Sequence, residues 1–490
     1  MIKNTYFLCI PAILLLILSG CKSSTGSYTS FEYVKTPYAG NFERKNIKYE
    51  GIKRNPLIIV HGFLGASLID IKTNQNVWGS FHASEAMKIS DEKLKGITHP
   101  IGKGKKLSEL KDDIIADRLL ETVQINVLAT SFEEKAYKNM IDILEKAGYV
   151  SDSRPIPSDK NFYSMFLFPY DWRRDLPENA VKLGEFIEEK RKYMQIEYEK
   201  NYGIKNYDVQ FDIIAHSMGG LVSRYYLQYG KQDLPNDDTL PKITWEGGKY
   251  IDRVVIVGTP NAGYLDTFLE MSRGTTLPPY PPAALGTLPT YYQMLPPPNS
   301  RSFLYSDDPN GEEIDIFDYK IWEKYNWSIA DQNQDKVLQK LLPDIKDKEE
   351  RREIALDHLQ KCLLRGKKFI EAMEIEASPP DDVKLYLVFG YGIKTSQTVL
   401  INRKSGNIEK VEYGTGDGKV LSVSALWDKN IIGQNSHFLK TPIDWAGIYV
   451  LRGAHMAITE QPAFADNIVF ILTLEETTKQ TEILKKIDKD

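Results

Sequence analysis

A serine in the middle of the chain has the neighbours that a nucleophilic serine needs. Residues 215–219 are Ala-His-Ser-Met-Gly, with Ser217 at the centre and small residues at both ends. Residues 208–214 before it are mostly apolar and predict a strand, whereas residues 220–229 after it predict a helix that stops at Gly230. A strand that turns sharply into a helix presents the serine hydroxyl at the tip of the turn, beside the free N–H groups of the helix. The pattern indicates acyl transfer through Ser217.

A serine is a weak nucleophile and needs a histidine base that an acid orients. In this arrangement the acid and then the histidine follow the serine along the chain. Three histidines come after Ser217. We predict that His455 is the base, because it follows a strand-like apolar run near the end of the chain. His358 is expected on the surface of a charged helix, and His437 in a polar loop.

The predicted acid is Asp417, which lies in the glycine-flanked turn of residues 414–420, after a predicted hairpin. Its position between Ser217 and His455 agrees with the required order. A plain Asp-Gly turn between strands would have the same sequence. Asp428 is therefore kept as the reserve candidate.

Two backbone N–H groups must stabilise the negative oxygen that forms on the acyl carbonyl. We expect one from Met218, at the start of the helix, and the other from Phe63. Phe63 belongs to residues 61–65, His-Gly-Phe-Leu-Gly, where the glycine allows close approach of the backbone. His61 and His216 are interpreted as structural, the first bonded within its loop and the second pointing into the sheet edge.

Three further apolar runs, residues 56–60, 254–257 and 385–389, predict short parallel strands buried on both faces. Helical stretches such as residues 181–198 lie between them. Strands that alternate with helices predict an α/β fold with a mostly parallel sheet and helices on both faces. Sites in such sheets lie at the carboxyl ends of the strands, where His61 and Ser217 fall.

Two stretches interrupt this alternation and are predicted to cover the strand ends: a lid insertion of about 69–130 and a cap insertion of about 261–380. A separate small domain is the alternative. Their aromatic residues are expected to be exposed and to favour an aggregated lipid surface; otherwise they form a small core of the cap. These residues are Trp78, Tyr280, Trp322 and Trp327.

The N-terminus has the pattern of a bacterial signal peptide over residues 1–20. Residues 18–21, Leu-Ser-Gly-Cys, resemble a lipobox, which predicts lipidation of Cys21; an ordinary signal peptide with a chance cysteine is the alternative. Residues 21–50 would then be a lipidated tether and residues 51–490 the catalytic domain. These features predict a protein lipid-anchored to the membrane of the bacterial cell envelope.

The composition of the chain limits which classes of partner and cofactor are expected. The formal net charge is −5 and no basic run is present, so a nucleic-acid partner is not expected. The chain has no zinc-ligand spacing and no phosphate-binding loop, so neither a metal nor a cofactor is expected. If residues 1–20 are removed and Cys21 is lipidated, Cys362 is a lone thiol and no intramolecular disulfide can form. The oligomeric state stays open.

Residues 168–173, Phe-Pro-Tyr-Asp-Trp-Arg, resemble a signature of the lecithin:cholesterol acyltransferase-like family, which includes lysosomal phospholipase A2 and phospholipid:diacylglycerol acyltransferase. The other motifs resemble those of the family and follow in the same order, at residues 61–65, 215–219, 258–263, 416–420 and 454–456. The resemblance implies an α/β-hydrolase fold with a lid and a cap, and acyl transfer from lipid esters. It also suggests that Trp78 is the substrate-binding aromatic of the lid.

The chain departs from the family pattern in two places. It cannot form the lid disulfide of the animal enzymes, and Lys419 replaces the small residue that usually follows Asp-Gly. Asp171, Trp172 and Arg173 of the signature are interpreted as a buried ion pair under a tryptophan.

The motifs together predict a serine-dependent hydrolase or O-acyltransferase that acts on phospholipid or acylglycerol at a membrane surface. Two alternatives are an esterase for small soluble esters and a non-catalytic surface lipoprotein that binds a ligand. A complete set of Ser217, Asp417 and His455 argues against the second alternative.

Overall fold

The computed structural model describes residues 51–82, 89–127, 130–276, 278–429 and 438–473, with positions 479, 481 and 485. The predicted signal peptide, the predicted tether with Cys21, and His437 lie outside the described residues. The described strands are β1 Leu57–Val60, β2 Ala66–Asp70, β3 Gln75–Trp78, β4 Ser80–His82, β5 Ile114–Leu119, β6 Thr122–Val127, β7 Thr130–Lys135, β8 Met165–Phe168, β9 Phe211–His216, β10 Ile251–Val257, β11 Phe303–Tyr305, β12 Lys384–Tyr391, β13 Ile393–Ile401, β14 Ile408–Gly416 and β15 Gly447–Arg452.

The described α-helices are α1 Asp91–Ile97, α2 Lys138–Lys146, α3 Leu176–Tyr202, α4 Met218–Tyr229, α5 Asp266–Arg273, α6 Pro282–Leu285, α7 Pro289–Gln293, α8 Tyr319–Tyr325, α9 Asp335–Leu341, α10 Lys348–Glu374, α11 Ser422–Leu426 and α12 Pro462–Thr473. Among them, none is both long enough and apolar enough to cross a bilayer.

Parallel strands form the central sheet, in the order β15, β12, β10, β9, β1 and β8. In β1, Ile58 and Val60 join the core on one face, while Leu57 and Ile59 join the core on the other face. Both faces are buried, which explains why the strand sequences are continuous apolar runs rather than alternating ones. The predicted α/β class with a mostly parallel sheet is confirmed.

Helices cover both faces of this sheet. On one face, α3 packs against α4, and Ile187 and Leu221 enter the core that holds Ile58. On the other face, Ile141 of α2 and Ile468 of α12 enter the core that holds Leu57. The sheet is therefore fixed from two sides, and its loops at the carboxyl ends are left to form a site.

The segment predicted as a lid contains two small sheets. Strands β2, β3 and β5 form one, with antiparallel pairing, and β4, β6 and β7 form the other. Val77 of β3 packs with Leu94 and Ile97 of α1, and all three are buried. The segment is thus structured against the main core, and its action as a lid stays a prediction.

The expectation of exposed aromatic residues is wrong. Trp322 and Trp327 pack edge-on against Phe268, with ring centroids 5.7 and 4.9 Å away, and form a core of the cap. Their indole N–H groups donate to backbone carbonyls inside the protein, at 2.7 and 3.0 Å. The rings pack against other side chains, and the indole N–H groups have hydrogen-bond partners inside the protein. These residues are therefore not available to contact a lipid surface. Trp78 and Tyr280 are buried as well.

The surface position expected for His358 is also wrong. Its side chain is fully buried, and its Nε2 lies 2.9 Å from the carbonyl oxygen of Thr287. Helix α10 is charged on one side, but its other side, with Leu359 and Cys362, packs into the cap. Because many residues of the helix are charged, its apolar face was not recognised from the sequence.

Candidate active site

Ser217 lies where the structure bends most sharply between β9 and α4. Its backbone has φ 54° and ψ −127°, a strained combination for a residue with a side chain. A Cβ atom at Gly219 would lie 2.3 Å from the carbonyl oxygen of His61, so only glycine fits there. The small flanking residue that the sequence pattern required therefore has a steric cause in the tertiary structure.

A continuous hydrogen-bond chain leads from the serine to a buried carboxylate. The Oγ of Ser217 lies 3.0 Å from Nε2 of His455, and Nδ1 of His455 lies 2.8 Å from Oδ2 of Asp417. The three residues follow different strands. They are distant in sequence, since the first is residue 217 and the last is residue 455. The structure brings together all three side chains that the sequence analysis selected.

The loop around Asp417 fixes its carboxylate. The turn follows β14, which pairs antiparallel with β13 as the predicted hairpin requires. Oδ1 of Asp417 accepts the backbone N–H groups of Lys419 and Val420 at 2.9 and 2.7 Å, which leaves Oδ2 for His455. The backbone N–H of His455 also donates to the Asp417 carbonyl, at 3.0 Å.

The reserve candidate does not reach the histidine. Asp428 lies just after α11, and its Oδ1 accepts the backbone N–H of Lys440 at 3.4 Å. The structure therefore places Asp417, and not Asp428, beside His455.

The loop that follows β1 lies directly against the serine. A Cβ atom at Gly62 would be 2.7 Å from the Cβ of Ser217, so the loop backbone touches the elbow. Among the described residues, neither the Phe63 nor the Met218 amide donates a hydrogen bond. Both amides predicted for the oxyanion site are thus free to bind another group.

His61 and His216 are buried beside this site and are neutral. Burial lowers the pKa of His61 to about 4 and that of His216 to about 3. Nε2 of His61 accepts the backbone N–H of Tyr170 at 3.2 Å, and its ring stacks on the Tyr170 ring. The His216 ring lies 4.9 Å from the ring of His455. His61 is bonded within its loop as the sequence interpretation expected, and the orientation of His216 into the sheet edge stays a prediction.

The side chains of the six-residue signature, residues 168–173, form buried contacts that stabilise the loops next to the site. Arg173 is fully buried, binds Asp171 through Nε at 3.0 Å, and also binds Asp112 at 2.8 Å. The Trp172 indole donates to the carbonyl of Ala66 at 3.1 Å. This is the buried ion pair beside a tryptophan that the sequence analysis favoured.

Trp78 contacts the loop of residues 61–65 from the protein interior. Its indole N–H donates to the Leu64 carbonyl at 2.9 Å, and its ring packs edge-on against Trp172 at 5.5 Å. Only 7% of the residue is exposed. It supports the loop in this structure, and a direct contact with substrate stays a prediction.

The sequence analysis missed Tyr137. Its hydroxyl accepts the Gly62 N–H at 2.7 Å and lies 3.1 Å from Nδ1 of His216. No motif surrounds this tyrosine, and the residues it binds are distant in sequence. Only the packing of α2 under the sheet shows that it belongs to the site.

A parallel sheet with helices on both faces, and a serine at a sharp strand–helix turn at its carboxyl edge, define an α/β-hydrolase. The lecithin:cholesterol acyltransferase family model matches residues 76–281. The match confirms the resemblance to this family that the motifs predicted. The matched residues include Ser217 and end before Asp417 and His455.

A relative supports the assignment. The lysosomal phospholipase A and acyltransferase of Bos taurus is 25% identical over 258 residues, which is 53% of this chain and 52% of that protein. The chain thus matches about half the length of this relative. The name of this relative gives a phospholipase and an acyltransferase activity to that protein.

A solved structure is similar in fold. A structure of the Tle4–Tli4 complex aligns over 86% of this chain and 99% of that chain, with 12% sequence identity and a TM-score of 0.51. EstA from Clostridium botulinum aligns over 96% of this chain with 14% identity, but with a TM-score of 0.35.

Proposed function

We propose that this protein is a serine-dependent lipid-ester hydrolase or O-acyltransferase whose substrates are phospholipids or acylglycerols. The observation that carries the proposal is the hydrogen-bond chain of Asp417, His455 and Ser217, with distances of 2.8 and 3.0 Å. The substrate class rests on the family, because the buried cap aromatics give no separate argument for a lipid surface.

In the proposed reaction, Ser217 Oγ attacks the acyl carbonyl while Nε2 of His455 takes the hydroxyl proton. Asp417 keeps the proton of the imidazole on Nδ1 and stabilises the imidazolium. The amides of Phe63 and Met218 bind the oxyanion. His455 then gives its proton to the leaving alcohol, and an acyl-enzyme remains on Ser217.

The second half of the reaction repeats these steps with a new nucleophile. His455 takes a proton from water or from an alcohol, whose oxygen attacks the acyl-enzyme carbonyl. The tetrahedral intermediate then releases Ser217, which recovers its proton from the histidine. Water yields a fatty acid, and an alcohol yields a new ester.

Replacement of the nucleophile tests this proposal. We expect Ser217→Ala to lose about 10⁶-fold in kcat with an unchanged melting temperature. A fluorophosphonate probe should label the wild type at Ser217. Ser223→Ala is the matched control: this serine lies in α4, is fully buried, and its hydroxyl has no hydrogen-bond partner in the described part of the chain. Full activity of Ser217→Ala would favour the binding-protein alternative.

The substrate is identified with vesicles of mixed phospholipid and acylglycerol, with and without a long-chain alcohol. We expect free fatty acid, and new esters when the alcohol is present. The rate on a short-chain ester should rise steeply above its micelle concentration. A smooth saturation curve across this concentration would favour the small-ester esterase.

We further propose that Cys21 carries a lipid anchor in the bacterial cell envelope. Stable anchoring needs more than one acyl chain, which a lipobox cysteine normally receives. Cys21→Ala should lose palmitate label and leave the membrane pellet. Cys362→Ala should keep both, because Cys362 is buried and burial raises the pKa of its thiol. Palmitate label on Cys21→Ala would contradict the anchor.

A further inference from the structure

Both peptide groups that flank the Gly62 Cα are held by hydrogen bonds. The N–H of the His61–Gly62 peptide donates to the Tyr137 hydroxyl at 2.7 Å. The carbonyl oxygen of the Gly62–Phe63 peptide lies 2.7 Å from Nδ1 of His61 and accepts the Gly65 N–H at 3.1 Å. Since the Phe63 N–H lies in this second peptide plane, its direction depends on how the Gly62 backbone is held on both sides.

The Tyr137 hydroxyl contacts two groups. Its oxygen accepts the Gly62 N–H, and Nδ1 of His216 lies 3.1 Å away. His216 is neutral, since burial lowers its pKa to about 3. The hydroxyl thus joins the Gly62 backbone to the histidine ring.

Tyr137 is well placed for this task because it cannot move easily. It lies at the start of α2 and only 4% of it is exposed. Its backbone N–H donates to the Glu121 carbonyl at 3.1 Å. Its ring meets the His216 ring edge-on at 5.5 Å, and the His216 ring lies 4.9 Å from that of His455.

We infer that Tyr137 is a positioning residue for the oxyanion site. Its hydroxyl holds the His61–Gly62 peptide, and the Gly62 backbone fixed in this way directs the next amide, that of Phe63, toward the oxygen that becomes negative when Ser217 attacks. The inference rests on the proposed function, because it concerns the transition state of that reaction. Tyr137 itself touches no reacting atom.

Tyr137→Phe removes one oxygen atom and leaves the ring. The Gly62 N–H then loses its partner, and the loop can rotate away from the serine. We expect kcat to fall 10- to 100-fold, less than the 10²- to 10³-fold typical for removal of an oxyanion donor. KM should stay within about twofold, since the substrate is bound before the oxyanion forms.

The test reports kcat per active site, by titration of Ser217 with a fluorophosphonate, so that misfolded protein is not counted. A long-chain alkylboronic acid, which forms a tetrahedral adduct with the serine, is the second probe. Its affinity should fall by the same factor as kcat/KM. Tyr149→Phe is the control, because Tyr149 is another buried tyrosine of the same core, near Asp212 at the opposite ends of the strands.

An unchanged kcat per active site in Tyr137→Phe would overturn the inference. So would a lower kcat with unchanged boronate affinity, which would indicate a general structural role. A failure of the proposed function is seen separately, since the wild type would then not be labelled at Ser217.

Discussion

The two ends of strand β9 lie near different buried carboxylates, and the surroundings of these carboxylates differ. The carboxylate at the start of the strand is Asp212, and the one near its end is Asp417. At its start, Asp212 binds Arg253 at 3.1 Å and Asn55 at 3.1 Å. Both Asp212 and Arg253 are completely buried. At its end, the chain from Asp417 passes through His455, whose side chain is 14% exposed, to the Ser217 hydroxyl.

The difference shows what a buried charge needs in order to react. At the amino ends of the strands, the Asp212 carboxylate is enclosed by partners, and burial raises its pKa. Its side-chain partners, Arg253 and Asn55, lie inside the protein. At the carboxyl ends, the carboxylate ends a line of groups that reaches the surface. The first arrangement stabilises a fold, and the second can transfer protons.

The largest expected effect sharpens this contrast at the carboxyl ends. Asp417→Asn should lower kcat by about 10⁴-fold without unfolding, because the amide favours the wrong imidazole tautomer. Steady-state kinetics and thermal melts measure both parts. Asp428→Asn is the control and should retain nearly all activity. The opposite ranking would move the acid to Asp428.

A matched change at the amino ends of the strands should lower stability and leave kcat unchanged. Arg253→Met leaves Asp212 and Asp252 buried without their guanidinium and should lower the free energy of unfolding by about 3–5 kcal/mol. The kcat per titrated active site should stay the same. Asp212→Asn in the same chain should restore part of the stability, since it removes one of the unpaired charges. A large loss of kcat per site would break the comparison.

Acid should lower the stability of the protein through His358, which is buried in the cap. Burial lowers the pKa of His358 to about 4 from 6.5. A histidine with a lowered pKa binds its proton more readily in the unfolded state, so stability present above pH 6.5 is lost as the pH falls toward 4. Between pH 7.5 and 5 this loss is about 2 kcal/mol for one such histidine.

His358→Gln can keep a donor for the Thr287 carbonyl but cannot titrate. Its free energy of unfolding should therefore change less between pH 7.5 and 5 than that of the wild type, by about 2 kcal/mol. Urea titrations at the two pH values measure this. Tyr149→Phe should show the wild-type pH dependence. Equal pH dependence in His358→Gln and wild type would contradict the assignment.

The smallest expected effect concerns the residue that departs from the family pattern. Lys419 lies 3.6 Å from Asp266 of the cap, and its side chain is 35% exposed. Partly exposed ion pairs contribute about 0–1 kcal/mol. Lys419→Thr should thus change kcat less than about twofold and the unfolding free energy by less than about 1 kcal/mol. A tenfold change in KM would instead indicate that Lys419 binds substrate.

Features fixed by neighbours in the chain were accessible from the sequence. The strand before Ser217, the helix after it and the small flanking residues follow from local sterics and from burial on both faces of the sheet. The glycine loop of residues 61–65 and the family signature of residues 168–173 are also contiguous. They gave the fold class, the serine and the family without any knowledge of distant contacts.

Features that depend on packing between distant segments were decided only by the tertiary structure. It chose Asp417 over Asp428 as the neighbour of His455, and it brought Tyr137 to Gly62. It also buried His358, although the charged sequence of its helix favoured the surface. Burial and hydrogen bonding are set by whatever packs from elsewhere in the chain, and a local pattern of residue types contains no information about those partners.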